Sequence, residues 1–359
     1  MARPPWVIRG CPDHFYMYEE NRPDISCCID WVAFTLFDID IDAVLSLFGF
    51  SKYDLVERVG ANGYKKMYCM PDVGFCILYD GEKGMGIHID IPSKALLLFL
   101  EIFRVSHFTE SVPFGGRASD IDLNMLHEVI KVVKQYGHFT RIDMALDDLT
   151  PHFTVAEVWQ FLDKDMYVAK FRKKDHYESY HADGSLLGET VYMGSRSSDM
   201  FLRVYDKQAE QKVDFPWIRW EFEIKHDCAD IVADYLLNKS VCDVMYGTLV
   251  EYVRFINLDN ERKSRCSIHE KWMSFVGDAK SMKYHVVKYI PTLEEKEDWI
   301  DKQVMPSICA LMLASGGSLD FIENKIVRAA LRMPENVKKR LNQINPNWQE
   351  LLYYFDEGE

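Results

Sequence analysis

Short runs in which apolar and polar residues alternate recur along this chain, the pattern of strands with one face buried. The clearest is Phe201-Leu-Arg-Val-Tyr-Asp-Lys207, where Leu202 and Val204 point one way and Phe201, Arg203, Tyr205 and Lys207 the other. Arg141-Ile-Asp-Met-Ala-Leu-Asp147 sets Ile142, Met144 and Leu146 against Arg141, Asp143 and Asp147. Arg219-Trp-Glu-Phe-Glu-Ile-Lys225 sets Trp220, Phe222 and Ile224 against Arg219, Glu221, Glu223 and Lys225. Further strands are expected over 27–37, 85–91 and 189–193, with a hairpin of 64–70 and 73–79 around Pro71-Asp72. Helical spacing predicts helices over 40–48, 93–103, 120–136 and 154–162, with Asp40, Ser93 and Thr154 as caps and Gly137 as a stop. After the last charged strand the period turns helical, over 229–237, 241–255, 293–313, 318–331 and 347–354. Residues 1–24 read as an irregular lead-in, 164–183 as a polar loop, and the stretch with Gly115-Gly116 as another.

This order implies an α+β fold: a large, mostly antiparallel β-sheet carrying the active site, helices packed on one face, and a helical C-terminal region. Interruptions near 265–290 divide the chain into the lead-in 1–24, an α+β domain 25–265 carrying the chemistry, and a helical region 266–359.

Composition narrows the classes. The chain has 359 residues, 48% hydrophobic and 27% charged, enough to bury a sizeable core. A net charge of -14 argues against uniform attraction to nucleic acid, but a local basic groove can coexist with an acidic remainder. Lys170-Phe-Arg-Lys-Lys174 is the densest basic cluster of the first half, and Phe171 within it is placed to stack on an unpaired base. Lys338-Lys339-Arg340 is a second cluster, and Arg196 precedes the Tyr205 strand. Nine cysteines without a C-x-x-C pair suit a reducing cytoplasm. Met1 to Asp13 lacks the apolar run of a signal peptide, and Ala95 to Phe103, the most apolar segment, is about half a membrane span. The expected protein is cytoplasmic, with no membrane partner.

The three charged faces carry the candidate chemistry. A tyrosine side chain has an unperturbed pKa of about 10 and needs help to act as a nucleophile. Arg203 and Lys207 on either side of Tyr205 would favour its phenolate and hold a phosphate before it. Clustered carboxylates repel unless bridged, and Asp143, Asp147, Glu221 and Glu223 offer the oxygen ligands that suit Mg²⁺ or Mn²⁺. Together these are the parts for transesterification at a phosphodiester. Ordinary cross-strand ion pairs would give the same pattern on any one strand. Other chemistries lack their parts: His88-Ile-Asp90 has no second histidine, and there is no Gly-Lys-Ser/Thr loop or Gly-x-Ser-x-Gly elbow.

The ordered series Ile29-Asp-Trp-Val-Ala-Phe-Thr35, Gly86-Ile-His-Ile-Asp-Ile91, 139–148, Thr190-Val-Tyr-Met-Gly-Ser-Arg196, 203–207 and 219–225 resembles the replication initiation factor family. That family comprises trans-acting rolling-circle plasmid Rep proteins and related T-class relaxases of conjugative elements. The resemblance implies a nicking nucleophile at Tyr205 with Arg203 as helper, and acidic positions around a metal among Asp143, Asp147, Glu221 and Glu223. It implies a sequence-specific nickase that forms a 5′-phosphotyrosine link to start rolling-circle replication or transfer of a mobile element. The implied partners are single-stranded or supercoiled origin DNA, a host helicase and, as plasmid members suggest, a second copy. The chain is more acidic than plasmid initiators tend to be, and no helix-turn-helix module is read ahead of the catalytic domain. The competing readings are a DNA-binding regulator or structural replication factor of the same fold without the chemistry, and a metal-dependent nuclease that uses water.

Overall fold

The computed structural model describes residues 24–107, 118–284 and 293–317, with scattered positions between 322 and 348. The lead-in, the Gly115-Gly116 loop and most of the helices expected over 318–331 and 347–354 lie outside the described residues. The chain divides into two compact units, Met1–Val286 and Val287–Glu359.

The first unit runs β1 (Ile25–Leu36), α1 (Ile41–Phe48), β2 (Val56–Val59), β3 (Lys66–Met70), β4 (Phe75–Tyr79), β5 (Ile87–Pro92), α2 (Ser93–His107), α3 (Ala118–Tyr136) and β6 (Gly137–Asp148). It continues with α4 (Val155–Asp163), β7 (Tyr167–Ala169), β8 (Lys174–Tyr180), β9 (Leu186–Gly194), β10 (Met200–Asp206), α5 (Lys207–Gln211) and β11 (Ile218–Lys225). Helices α6 (His226–Leu236) and α7 (Val241–Tyr252), strand β12 (Val253–Phe255) and α8 (Glu270–Val276) close it. Ten strands make one antiparallel sheet in the order β2-β3-β4-β5-β1-β6-β11-β10-β9-β8, and β7 pairs with β12 in a small ribbon.

The alternation read from the sequence decides which face is which. Ile142, Met144 and Leu146, Trp220, Phe222 and Ile224, and Leu202 and Val204 are all buried in one continuous core with apolar residues of α1, α2, α3, α4, α6, α7 and α8. Asp40 and Thr154 cap α1 and α4 as expected, Thr154 in a reciprocal capping box with Glu157. Gly137 does more than stop a helix: a Cβ there would lie 1.8 Å from the Thr35 carbonyl oxygen, so only glycine lets β6 start against β1.

Register aligns the charged residues on the opposite face. Asp143 lies across from Glu223, Ala145 from Glu221 and Asp147 from Arg219. Glu221 in turn lies across from Arg203, and Arg219 from Tyr205. On the other side of β6 the pairing jumps from Ile29–Met144 to Trp31–Asp143, leaving Asp30 as the extra residue of a bulge. The bulge brings both Asp30 and Trp31 to the charged face, where Asp30 meets Arg219 at 3.1 Å and the Trp31 ring lies 4.2 Å from the Arg141 guanidinium.

Four expectations change. Residues 164–183 contain β7 and β8 rather than a plain loop; Lys174-Asp-His-Tyr-Glu-Ser-Tyr180 is an edge strand with little apolar alternation to betray it. Strand β2 was not expected, because all of Val56-Glu-Arg-Val59 is exposed at the other edge. The helix expected through residue 255 ends at Tyr252, where β-branched Val253 turns extended to pair with Ala169. Lys207 opens α5 instead of ending β10, with Asp206 as the helix cap accepting from the Ala209 amide. In addition, α8 puts Trp272 and Phe275 into the core of the first unit, although the helical region was expected to begin at 266.

The second unit contains α9 (Leu293–Trp299), a π-helical turn over Ile300–Val304, α10 (Met305–Ala314) and α11 (Glu335–Ile344). No helix among the described residues is long and apolar enough to cross a membrane.

Candidate active site

Strands β6, β11 and β10 lie side by side and bring the expected site residues together. The Tyr205 hydroxyl donates to Glu221 Oε2 at 2.8 Å, and Lys207 Nζ lies 3.5 Å from the same hydroxyl. Arg203 forms an ion pair with the other oxygen of Glu221 and reaches Asp143 at 4.0 Å. Arg203 Nε is buried without a hydrogen-bond partner among the described residues. Arg141 holds Asp143 through two bonds of 2.6 and 2.9 Å and approaches Glu223 at 3.5 Å, while Lys225 also pairs with Glu223. Asp143, Glu221 and Glu223 therefore surround two guanidiniums.

The electrostatics correct the expectation for the nucleophile. Burial is the largest influence on Tyr205 and raises its pKa; Arg219 pulls it down, but Glu221, Glu210 and Asp30 push it further up. Flanking cations thus do not make a standing phenolate. Lys207 is engaged by Glu210 one helical turn on, and Arg203 by Glu221. The hydroxyl instead has a carboxylate partner positioned to take its proton. Burial, with help from Glu221 and Glu223, raises Asp143 to about 7 in spite of Arg141. Glu223 moves the other way: burial raises it, but the Lys225 hydrogen bond and the charges of Arg141, Lys225 and Arg203 outweigh that and lower it.

Asp147 leaves the candidate ligand set. It is fully buried, and Arg219 grips both its oxygens at 2.6 Å while the Trp217 indole donates to it as well. Its role is to fix Arg219 beside Tyr205. For the other three carboxylates the donor chemistry suits a hard divalent ion, but arginine side chains now lie between them. The described His, Cys, Asp and Glu side chains closest to a ready-made cage are His176, Glu178 and Glu189. By register these share the face of Val191, the helix-covered side, and His176 stacks on Trp159 of α4. They lie across the sheet from Tyr205.

The expected DNA-binding residues separate. Arg172 and Lys173 are exposed, Lys173 beside Asp175. Lys170 pairs with Glu251. Lys174 does not face outward: it bonds to the Leu162 carbonyl and lies over the rings of Trp159 and Tyr167. Phe171 is not open to a base either, since it packs between Phe222 and Tyr252 and against Gly194. Arg196 lies 5.6 Å over the Phe201 ring at the rim of an open groove of about 780 Å³. That groove is lined by Tyr205 at one side and by Tyr192, Tyr177 and Lys173 beyond it. Of the C-terminal cluster, Lys339 is exposed and Lys338 half-buried, and the Arg340 side chain lies outside the described residues.

Three contributors were missed by the sequence reading: Asp30 and Trp217, which position Arg219 and Asp147, and Glu210, which engages Lys207. Asp30 left one sign, a carboxylate directly before Trp31 in an otherwise apolar strand.

A family model for replication initiation factors matches residues 137–326, just over half of the chain. The chain belongs to that family. The match begins at the first residue of β6, so it takes in every strand that carries Asp143, Tyr205 and Glu221. A putative DNA relaxase, NicK, of Bacillus subtilis (strain 168) is 29% identical over 187 residues, 49% of this chain and 53% of the relative. The chain thus matches about half the length of that curated relative. Among solved structures, the rolling circle replication initiator protein from Geobacillus stearothermophilus superposes with a TM-score of 0.59 at 24% identity, covering 71% of this chain and 97% of that one. That likeness shows the fold: the large antiparallel sheet with its helices is an architecture this family member shares with the initiator.

Proposed function

We propose that this chain nicks one DNA strand at an origin by tyrosine transesterification, starting rolling-circle replication or strand transfer of a mobile element. The observation that carries the reading is the Tyr205 hydroxyl donating to Glu221 at 2.8 Å, with Arg203 and Lys207 on either side. Glu221 accepts the proton as the Tyr205 oxygen forms its bond to phosphorus. The bond from phosphorus to the 3′ oxygen breaks, and that oxygen leaves as a 3′-hydroxyl after taking a proton from water. The product is a 5′-phosphotyrosine. Arg203 and Lys207 stabilise the negative charge that builds on the phosphoryl oxygens, and a phosphate arriving at Arg203 competes with Glu221 for the guanidinium.

Asp143, Glu221 and Glu223 are the residues that would hold Mg²⁺ or Mn²⁺, and such an ion would add further charge stabilisation at the phosphate. The reading includes a host helicase and a second copy of the chain as partners of the full replication cycle. The competing reading, a binding factor without chemistry, would need the Tyr205–Glu221 hydrogen bond only to satisfy a buried hydroxyl and would form no adduct.

The test is incubation with supercoiled and single-stranded origin DNA in Mg²⁺, followed by denaturing electrophoresis. The expected result is a nick and a detergent-resistant protein–DNA adduct, both absent in Tyr205→Phe and both suppressed by excess chelator. An adduct from Tyr205→Phe would move the nucleophile elsewhere, with Tyr192 on β9 the next to test. Full cleavage in chelator would remove the metal from the reading.

A further inference from the structure

The groove beside Tyr205 has features that the nicking chemistry does not use. It lies over β8, β9 and β10, and its floor is aromatic. Tyr192 stacks on Phe201 at 5.5 Å with the rings nearly parallel, and Tyr177 meets Tyr192 edge-on at 5.5 Å. Phe201 is covered, with Arg196 over its ring, whereas Tyr192 is half-buried and Tyr177 is 59% exposed. A tyrosine so exposed at a strand position contributes little to the core, and its face is open to a planar partner.

The charges lining the groove point the same way. Asp175 and Glu210 put carboxylates along it against Lys173 and Arg196, while the Asp206 side chain caps α5 and the Glu189 side chain turns to His176 on the other face. Lys173 is paired with Asp175. Glu210 is likewise paired, with Lys207, so the floor offers a phosphate backbone no row of free cations to follow. It suits the bases of a strand whose phosphates stay at the rim, near Arg196. Unpaired bases present flat faces to stack, and exocyclic amino groups that carboxylates can accept from. A duplex hides those faces.

We infer that this groove takes unpaired DNA bases flanking the scissile phosphate, stacked on Tyr192 and Tyr177, so that the strand reaches Tyr205 already melted. The inference rests on the proposed nicking reaction for its biological setting, but the binding it asserts is measured without any cleavage. Stacking is tolerant of base identity, so the groove supplies affinity for single strands rather than origin recognition.

The test uses the full-length protein and a thymidine oligonucleotide of about twelve residues carrying one 2-aminopurine, single-stranded and as a duplex. Anisotropy gives affinity, and quenching of the 2-aminopurine reports stacking. The expected result is quenching and tighter binding of the single strand, each weakened about tenfold by Tyr177→Ala and by Tyr192→Ala, with the salt slope unchanged. Tyr177→Phe and Tyr192→Phe should behave like the parent, since the ring is retained. Tyr177 is exposed enough that its removal leaves no cavity, so that variant tests the idea even if Tyr192→Ala folds poorly. Absence of quenching, parental binding by Tyr177→Ala, or equal affinity for the duplex would overturn it. A Tyr205 adduct without quenching would sink the groove alone; quenching without an adduct would sink the nicking reaction and leave the groove.

Discussion

The two faces of the ten-stranded sheet are made by the same strands read in alternate register, and they are held together in opposite ways. Trp220 and Arg219 are chain neighbours, and both are 0% exposed. Trp220 is buried among Phe153, Phe255, Trp272 and Phe275, where removal from water is itself favourable. Arg219 is buried among Asp147, Asp30 and Trp217, where removal from water costs energy that only close ion pairs offset. Asp143, Glu221 and Glu223 sit on that second face, each within reach of an arginine. A sheet needs the first face in order to fold. A second face with so many buried charges is expensive and is the usual mark of a site that handles charge.

The largest expected effect isolates chemistry from folding on the charged face. Glu221→Gln keeps the shape and one acceptor oxygen but removes the base, so adduct formation should fall by about 10²–10⁴. The substitution also takes the carboxylate charge from Arg203, so its melting temperature should fall, and adduct formation is compared at a temperature where both proteins are folded. If cleavage survives at the parental rate, the proton leaves Tyr205 by another route.

The next break concerns the cost of buried charge. Arg219→Met leaves Asp147 buried without its main partner and should destabilise the chain by about 3–5 kcal/mol in denaturant titrations. Adding Asp147→Leu should recover much of that stability. A single variant as stable as the parent would mean that this face is less tightly held than its geometry implies.

Asp143 gives a pH signature. Its folded-state pKa, about 7, lies above its ordinary value of 3.8, so the folded chain holds the proton more tightly. The stability from that proton is full below about pH 4 and is lost as the pH rises through about 7. Asp143→Asn has no such proton, so its melting temperature should fall less than the parent's over that window. Parallel melting curves across the window would contradict the raised value.

The smallest effect lies at the groove rim. Arg172→Ala with Lys173→Ala should flatten the salt dependence of origin binding, by a log–log slope of about one for each phosphate that is no longer neutralised. Lys174→Ala, whose parent side chain points inward, should leave that slope unchanged. Should the two sets behave alike, the division of this basic cluster between solvent and interior is mistaken.

How much of this was legible in the sequence follows from the same contrast. The strands with one apolar and one charged face, β6, β10 and β11, were readable residue by residue, because period-two alternation fixes the face of every side chain. The edge strands β2 and β8 were not, since a strand exposed on both faces has no alternation to show. Tyr205, Arg203, Glu221 and Asp143 were correctly gathered on one face. Their pairings were out of reach, because register between strands distant in sequence decides them: Glu221 became the partner of Tyr205, and Asp147 was taken by Arg219. The Lys170–Lys174 run read as uniform charge. Packing turns Phe171, in the link between β7 and β8, and Lys174, at the start of β8, inward, and composition cannot report that.

The central claim is that the Tyr205 oxygen becomes covalently joined to the cut strand. The most direct measurement is to trap the adduct on an origin oligonucleotide, digest both components, and locate the nucleotide-bearing peptide by mass spectrometry. The account predicts a phosphate-linked 5′ nucleotide on the peptide that contains Tyr205 and on no other. A nicked oligonucleotide with an unmodified Tyr205 peptide, or with the nucleotide on another tyrosine, would contradict it.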